Sequence, residues 1–204
     1  MMQTVELPGD SEDYHLITLG VELSENIKGL TCELGLRRGG GTKFIIDALA
    51  KQANGRTHIA IDPYGNIEYE HKEAEIVRLD YTNDMRSEAL ANIYAYAYQN
   101  KVPFIFFNLE DTEFFKRFGD GVPVYDQLKT IENTYSFIHF DAPHAHDPLI
   151  KEIDFFYSRT NKGGLWCFDD VAGYYDHDKI EEYLFKLGFN LIDKTKRKAL
   201  YAKD

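Results

Sequence analysis

Short apolar runs alternate along the chain with longer stretches of helical spacing, and the alternation predicts strands and helices in turn. Five runs read as strands: residues 29–34 (GLTCEL), 57–61 (THIAI), 103–109 (PFIFFNL), 135–140 (YSFIHF) and 164–168 (GLWCF). Runs this short and this apolar are expected of parallel strands buried on both faces. Between them, Thr42 is placed to cap a helix that runs to about Ala53 and is ended by Asn54-Gly55. Helical spacing recurs over 85–100, 113–118 and 178–187, the last closed by Gly188. Residues 189–193 and 199–202 then read as two short strands of an antiparallel hairpin. The pattern predicts an α/β fold whose mostly parallel, seven-stranded sheet is closed by a C-terminal antiparallel hairpin and flanked by helices on both faces. Residues 1–27 are weakly patterned and are expected to form a helix, arm or lid over one end of the sheet.

At 204 residues without a linker-like stretch, residues 1–204 are expected to form one domain. The 34 acidic against 23 basic side chains leave a net charge of −11, which argues against a nucleic-acid partner. The one basic cluster, Lys194, Lys196, Arg197 and Lys198, falls in the hairpin turn and reads as solvated, with no function assigned. Cys32 and Cys167 lie inside apolar runs without metal-ligand spacing, as buried residues of a reducing compartment do. No apolar run approaches the ~20 residues of a membrane span, and the acidic N-terminus does not read as a signal peptide. A cytoplasmic protein with a small-molecule partner is expected, and a homo-oligomer is left open.

Each predicted strand delivers a polar or acidic residue at its C-terminal end: Glu33 before the glycine-rich turn, Asp62, Glu110-Asp111, Asp141, and Asp169-Asp170. In open α/β sheets ligands bind beyond those ends, so the acids are expected to share one cleft. The turn Glu33-Leu34-Gly35-Leu36-Arg37-Arg38-Gly39-Gly40-Gly41-Thr42 resembles motif I of the class I S-adenosylmethionine-dependent methyltransferases. The resemblance implies a Rossmann-like methyltransferase fold in which Glu33, Gly35, Gly39, Gly40, Gly41, Thr42, Asp62, Asp111 and Asp141 contact S-adenosylmethionine, with Asp62 on the ribose. Residues 110–112 also read as the cap and acidic first turn of the next helix, and both roles stay open.

Asp141-Ala142-Pro143-His144, followed by Gly163-Gly164 and a strand ending in Asp169-Asp170, resembles the small-molecule O-methyltransferases of catechol, macrolide and sugar type. That resemblance spans about residues 29–171 and implies a divalent cation, Mg²⁺ above all, on Asp141, Asp169 and Asp170. Three crowded carboxylates repel one another, and a hard cation relieves the repulsion through oxygen ligands. His144 is the candidate base, with Asp141 as its catalytic neighbour and His146 as an alternative base or ligand. The remaining histidines, His15, His58, His71, His139 and His177, read as structural or solvated. Two other functions compete: a non-catalytic Rossmann-like module that binds the cofactor, and an NAD-dependent oxidoreductase. The latter is disfavoured because Leu36 and Arg37 precede Gly39 where a dinucleotide turn needs small residues.

Overall fold

A computed structural model of the chain describes residues 5, 7–9, 11–63, 65, 69–71, 75–77, 81–142, 145–173 and 175–204. The first helix, α1 (His15–Leu23), precedes strand β1 (Leu30–Leu34), helix α2 (Gly40–Gln52) and strand β2 (His58–Ile61). A small hairpin, β3 (Tyr69–His71) and β4 (Glu75–Val77), leads to α3 (Asn83–Gln99), β5 (Phe104–Phe107) and α4 (Asp111–Arg117). A second hairpin, β6 (Val122–Tyr125) and β7 (Lys129–Glu132), precedes β8 (Tyr135–Phe140), α5 (His146–Tyr157) and β9 (Thr160–Phe168). The chain closes with α6 (His177–Lys186), β10 (Phe189–Lys194) and β11 (Ala199–Lys203).

Seven strands form the main sheet in the order β10-β11-β9-β8-β1-β2-β5. β1 pairs in parallel with β2 and β8, and β8 with β9, while β11 is antiparallel to both β9 and β10. The α/β sheet with a terminal antiparallel hairpin is therefore the one read from the sequence. The order reverses beside β1, between β2 and β8, which is where an open α/β sheet binds its ligand.

The period of two along each strand sorts side chains to the two faces. Leu30, Cys32 and Leu34 of β1 join Ile153 and Phe156 of α5, Phe114 of α4 and Leu184 of α6 in one apolar layer. Leu16 and Val21 of α1 pack with Ile45 and Leu49 of α2 and with Leu165 and Cys167 of β9 in the other. Helices thus cover both faces. Both cysteines are free and buried, and no helix among the described residues is long and apolar enough to cross a membrane.

Three expectations are corrected. Thr42 does not cap α2: Gly39, at φ +83°, is the N-cap, and Thr42 sits in the first turn with its hydroxyl engaged elsewhere. Residues 15–23 form a helix packed into the sheet, not only an arm over its end. The basic turn is not solvated throughout, because Lys198 is completely buried. The hairpins β3–β4 and β6–β7 and helix α5 add elements outside the strands and helices read from the sequence.

Candidate functional site

The site is built at the C-terminal ends of β1, β2, β8 and β9. Gly35, at φ +84°, takes the chain out of β1 in a conformation an L side chain rarely adopts, and a Cβ there would run into the backbone carbonyl of Asp141. The glycine thus lets the β1–α2 turn lie against the end of β8. Backbone bonds tie the strand ends together: Gly35 N–H donates to Ile61 O at 3.0 Å, Asp141 N–H to Leu34 O at 2.9 Å, and Asp169 N–H to Phe140 O at 3.0 Å.

Asp62, 3% exposed, ends β2 and turns its carboxylate onto the glycine turn. Its Oδ2 accepts from the amides of Leu36 at 2.7 Å and Arg37 at 3.0 Å. Charge-assisted bonds to two successive amides fix the turn.

Glu33 lies deeper, 1% exposed within β1. Its Oε2 accepts from the Thr42 hydroxyl, and its Oε1 lies 2.9 Å from His139 Nδ1. His58 Nε2 stands 4.0 Å from Oε2. The register explains the meeting, since Glu33 pairs with His139 across the parallel β1–β8 ladder and both side chains emerge on the same face. Gly41 belongs to this network because a Cβ there would strike Glu33 Oε1 and approach the His139 ring to 3.0 Å. Glu33 and Thr42, both expected at the cofactor, are thus brought together beneath the turn, where they brace it.

Asp141 and Asp169 meet at the ends of neighbouring strands, and His139 Nε2 has no hydrogen-bond partner among the described residues. His139, Asp141 and Asp169 each present one ligand-capable atom, all within 4.8 Å of one another. Burial, reinforced by the negative charge of Asp169, pushes the Asp141 carboxyl well above the usual carboxylate range. Burial works on Asp169 in the same direction, but Lys198, His139 and the Asp170 amide outweigh it and hold Asp169 below its ordinary value. The surroundings therefore push the two acids in opposite directions.

Asp170 does not join them. It is 7% exposed, adopts φ +54°, and pairs with Arg197 Nη2. Lys198 Nζ pairs with Asp169 Oδ2 and donates to Ser11 Oγ at 2.8 Å, and Ser11 in turn donates to Asp169 Oδ2 at 3.0 Å. Of the three carboxylates expected to hold a divalent cation, Asp169 and Asp170 thus each pair with a cation of the protein. From the sequence, His139 reads as structural or solvated, Arg197 and Lys198 as part of a solvated turn, and Ser11 is not singled out. The recoverable signal was register: an antiparallel return strand sets Arg197-Lys198 opposite Asp169-Asp170.

Asp111 is the first residue of α4 and stands beside the buried Glu152 of α5, whose carboxyl is pushed well above its ordinary value by burial and then by Asp111. His146 opens α5 with Nδ1 3.2 Å from Asp147 Oδ1. His144 lies outside the described residues. On α3, Tyr96 donates to Asp47 Oδ1 at 2.5 Å and Tyr94 packs edge-on against Phe104.

Burial lowers the pKa of His58 to about 4 against the pull of Glu33, and lowers that of His177 to about 4 as well. Each contributes stability that is fully present above the unfolded value near 6.5 and is lost, by ~1.4 kcal/mol per pH unit, as pH falls towards 4. The raised carboxyls of Asp141 and Glu152 act in the opposite sense, so global melting is a poor readout. Ring NMR is the direct one. At about pH 5.5 an unperturbed imidazole is roughly nine-tenths protonated, whereas His58 and His177 are expected to show neutral-ring shifts. Charged rings at that pH would show that the fold does not bury them as described.

No family model matches the chain. A stretch of 59 residues is 30% identical to an uncharacterized protein of Acanthamoeba polyphaga mimivirus, spanning 29% of this chain and 27% of that protein. Similar folds are found in the O-methyltransferase NovP, with TM-score 0.59 and 18% identity over 93% of this chain and 78% of that one. CalS11, a TDP-rhamnose 3'-O-methyltransferase of calicheamicin biosynthesis, superposes with TM-score 0.61 and 10% identity, covering 93% and 78%. TomG, an O-methyltransferase of tomaymycin synthesis from Streptomyces achromogenes solved with S-adenosylmethionine, gives TM-score 0.62 and 10% identity, covering 97% and 82%. With the strand order above, these likenesses show that the chain has the fold that these O-methyltransferases share.

Proposed function

We propose that this protein transfers a methyl group from S-adenosylmethionine to a hydroxyl of a small molecule, with sugar, polyketide or phenolic acceptors as the class to test. The observation that carries the reading is the convergence, at the point where strand order reverses, of the Asp62-braced glycine turn with the unlike acids Asp141 and Asp169. We assign the cofactor to this same turn, with Asp62 at its ribose; Gly35, Gly39, Gly40 and Gly41 shape the turn by packing closely against Asp141, Ile93, Tyr14 and Glu33. Acids suit a ligand that carries an ammonium and a sulfonium rather than phosphates. When bound, the cofactor supplies an electrophilic methyl carbon. The chain's own residues orient the acceptor oxygen in line with it and take up the proton it loses. Asp141 at the end of β8, with its carboxyl held well above the usual range, and the Asp169 carboxylate beside it are the polar groups offered to the acceptor. His144, three residues after Asp141, is the residue we assign to receive the hydroxyl proton.

Calorimetry with S-adenosylhomocysteine tests the reading before any acceptor is known. Binding is expected, and Asp62→Ala is expected to weaken it by about 1–3 kcal/mol, roughly 5- to 150-fold, by removing a charged acceptor. NAD is expected to bind at least about tenfold more weakly, since the turn lacks a dinucleotide spacing. Tight NAD binding, or no response to S-adenosylhomocysteine, overturns the proposal. Methyl transfer is then read by mass increase across a panel of sugar, polyketide and phenolic hydroxyls.

A further inference from the structure

We infer that Lys198 is the resident cation of this site: its ammonium, seated on Asp169 beside Asp141, stands where a divalent metal would neutralise these acids, and it makes the site metal-independent. The catalytic half of the inference rests on the methyl-transfer reading; the charge half rests on the geometry alone.

Lysine is rarely buried completely, because its long stem lets the ammonium reach water. Lys198 is 0% exposed. Its ammonium is held by Asp169 Oδ2 and by Ser11 Oγ at 2.8 Å, and it lies 5.1 Å above the centre of the Tyr14 ring. These partners come from two separate parts of the chain, the end of β9 and the segment 11–14 that leads into α1, so the ammonium is enclosed. Its backbone is fixed as firmly. Thr195 N–H donates to Lys198 O at 2.8 Å, and Lys198 N–H donates to Thr195 Oγ1 at 3.0 Å.

The antiparallel register explains the match of charges. Ala199 pairs with Phe168, so the two residues before Ala199 run opposite the two residues after Phe168. Val171 N–H donates to Arg197 O at 3.1 Å, which extends that register past the strand. Lys198 therefore faces Asp169 and Arg197 faces Asp170, and both pairs form. Two single charges held by the fold replace one double charge drawn from solution. A divalent ion approaching Asp141 and Asp169 would have to displace the ammonium from a carboxylate oxygen or sit against it, and like charges at such separations repel strongly in a dry site. Lys198 acts through Asp169, whose carboxylate it keeps ionised and aimed, and is thus a positioning residue.

The test is metal uptake by the whole protein, followed by the loss of the free Mn²⁺ resonance signal and by melting with Mn²⁺ or with EDTA. Wild type is expected to take up no Mn²⁺ and to melt alike in both. Lys198→Ala opens the acids and is expected to bind Mn²⁺, melting roughly 3 °C or more higher with the ion in excess, with the shift abolished when Asp169→Asn is added. A merely structural lysine would lower stability without creating a metal response. If Lys198→Ala does not fold, Lys198→Gln keeps a hydrogen-bonding side chain without the charge and is read in the same way. Mn²⁺ uptake by wild type that is lost in His139→Asn or Asp169→Asn overturns the inference, as does a folded Lys198 variant that ignores the ion. Wild-type transfer is expected to be unchanged in EDTA, and its loss there also overturns the inference. Failure of S-adenosylhomocysteine to bind wild type removes the methyl-transfer reading alone and leaves the Mn²⁺ result to judge the cation.

Discussion

Gly35→Ala is expected to abolish measurable S-adenosylhomocysteine binding and to lower stability by about 3 kcal/mol or more, a fall of roughly 6–12 °C in melting temperature for a chain of this size. Two costs combine. Holding a non-glycine residue at φ +84° takes about 1–2 kcal/mol. The added Cβ then collides with the carbonyl of Asp141, and since the obstacle is backbone no side-chain rotation relieves it. The β1–α2 turn has to move away from β8, carrying Leu36 and Arg37 off Asp62 and separating Asp141 from the turn it borders. Gly55→Ala is the matched control. Its φ is +74°, yet a Cβ there meets nothing within 4 Å, so it bears only the dihedral cost. Thermal melts of the two variants, with calorimetry on both, separate strain from collision. Equal destabilisation, with binding kept in both, would show that the turn does not need to touch the end of β8.

Wherever the governing contact is local or periodic, the sequence exposes it. The strands over 29–34, 57–61, 135–140 and 164–168 declare themselves because parallel strands buried on both faces must be apolar throughout. The acids at their ends stand out for a related reason: a charge that closes such a run is buried only with a partner, as Glu33, Asp62 and Asp169 are. What was hidden depends on pairing across distance. Glu33 meets His139 106 residues later, and nothing in either residue's neighbourhood predicts the ladder that joins them. Lys198 sits in a turn with three other bases, and composition there suggests solvent; only the register of β11 on β9 puts it under the sheet end. The hairpin β6–β7 escaped for an opposite reason. Its strands leave Tyr125 and Ile131 largely exposed, so no buried face imposes a clear alternation on residues 122–132.

Asp169→Asn is expected to lower stability by about 3–5 kcal/mol, far more than loss of a loop cap would cost, because it strands the Lys198 ammonium in the interior. The asparagine has nearly the shape of the aspartate and keeps a hydrogen bond to offer, so the effect isolates charge. Lys198→Met, which preserves the apolar stem, is expected to cost a similar amount by leaving Asp169 unneutralised beside Asp141. If these two losses shared no cause they would add in the double variant. An ion pair predicts the reverse. Once both charges are gone, neither carries a desolvation penalty, and the double variant is expected to recover to within about 1–2 kcal/mol of wild type. Denaturant melts of the four proteins close the cycle, and a coupling of about 3 kcal/mol or more is the expected result. Additive losses would show that the ammonium and the carboxylate do not sense each other, and the acids would then need another source of positive charge. The cycle uses neither cofactor nor acceptor. It therefore decides whether Lys198 neutralises the acids at the strand ends whatever reaction those acids serve.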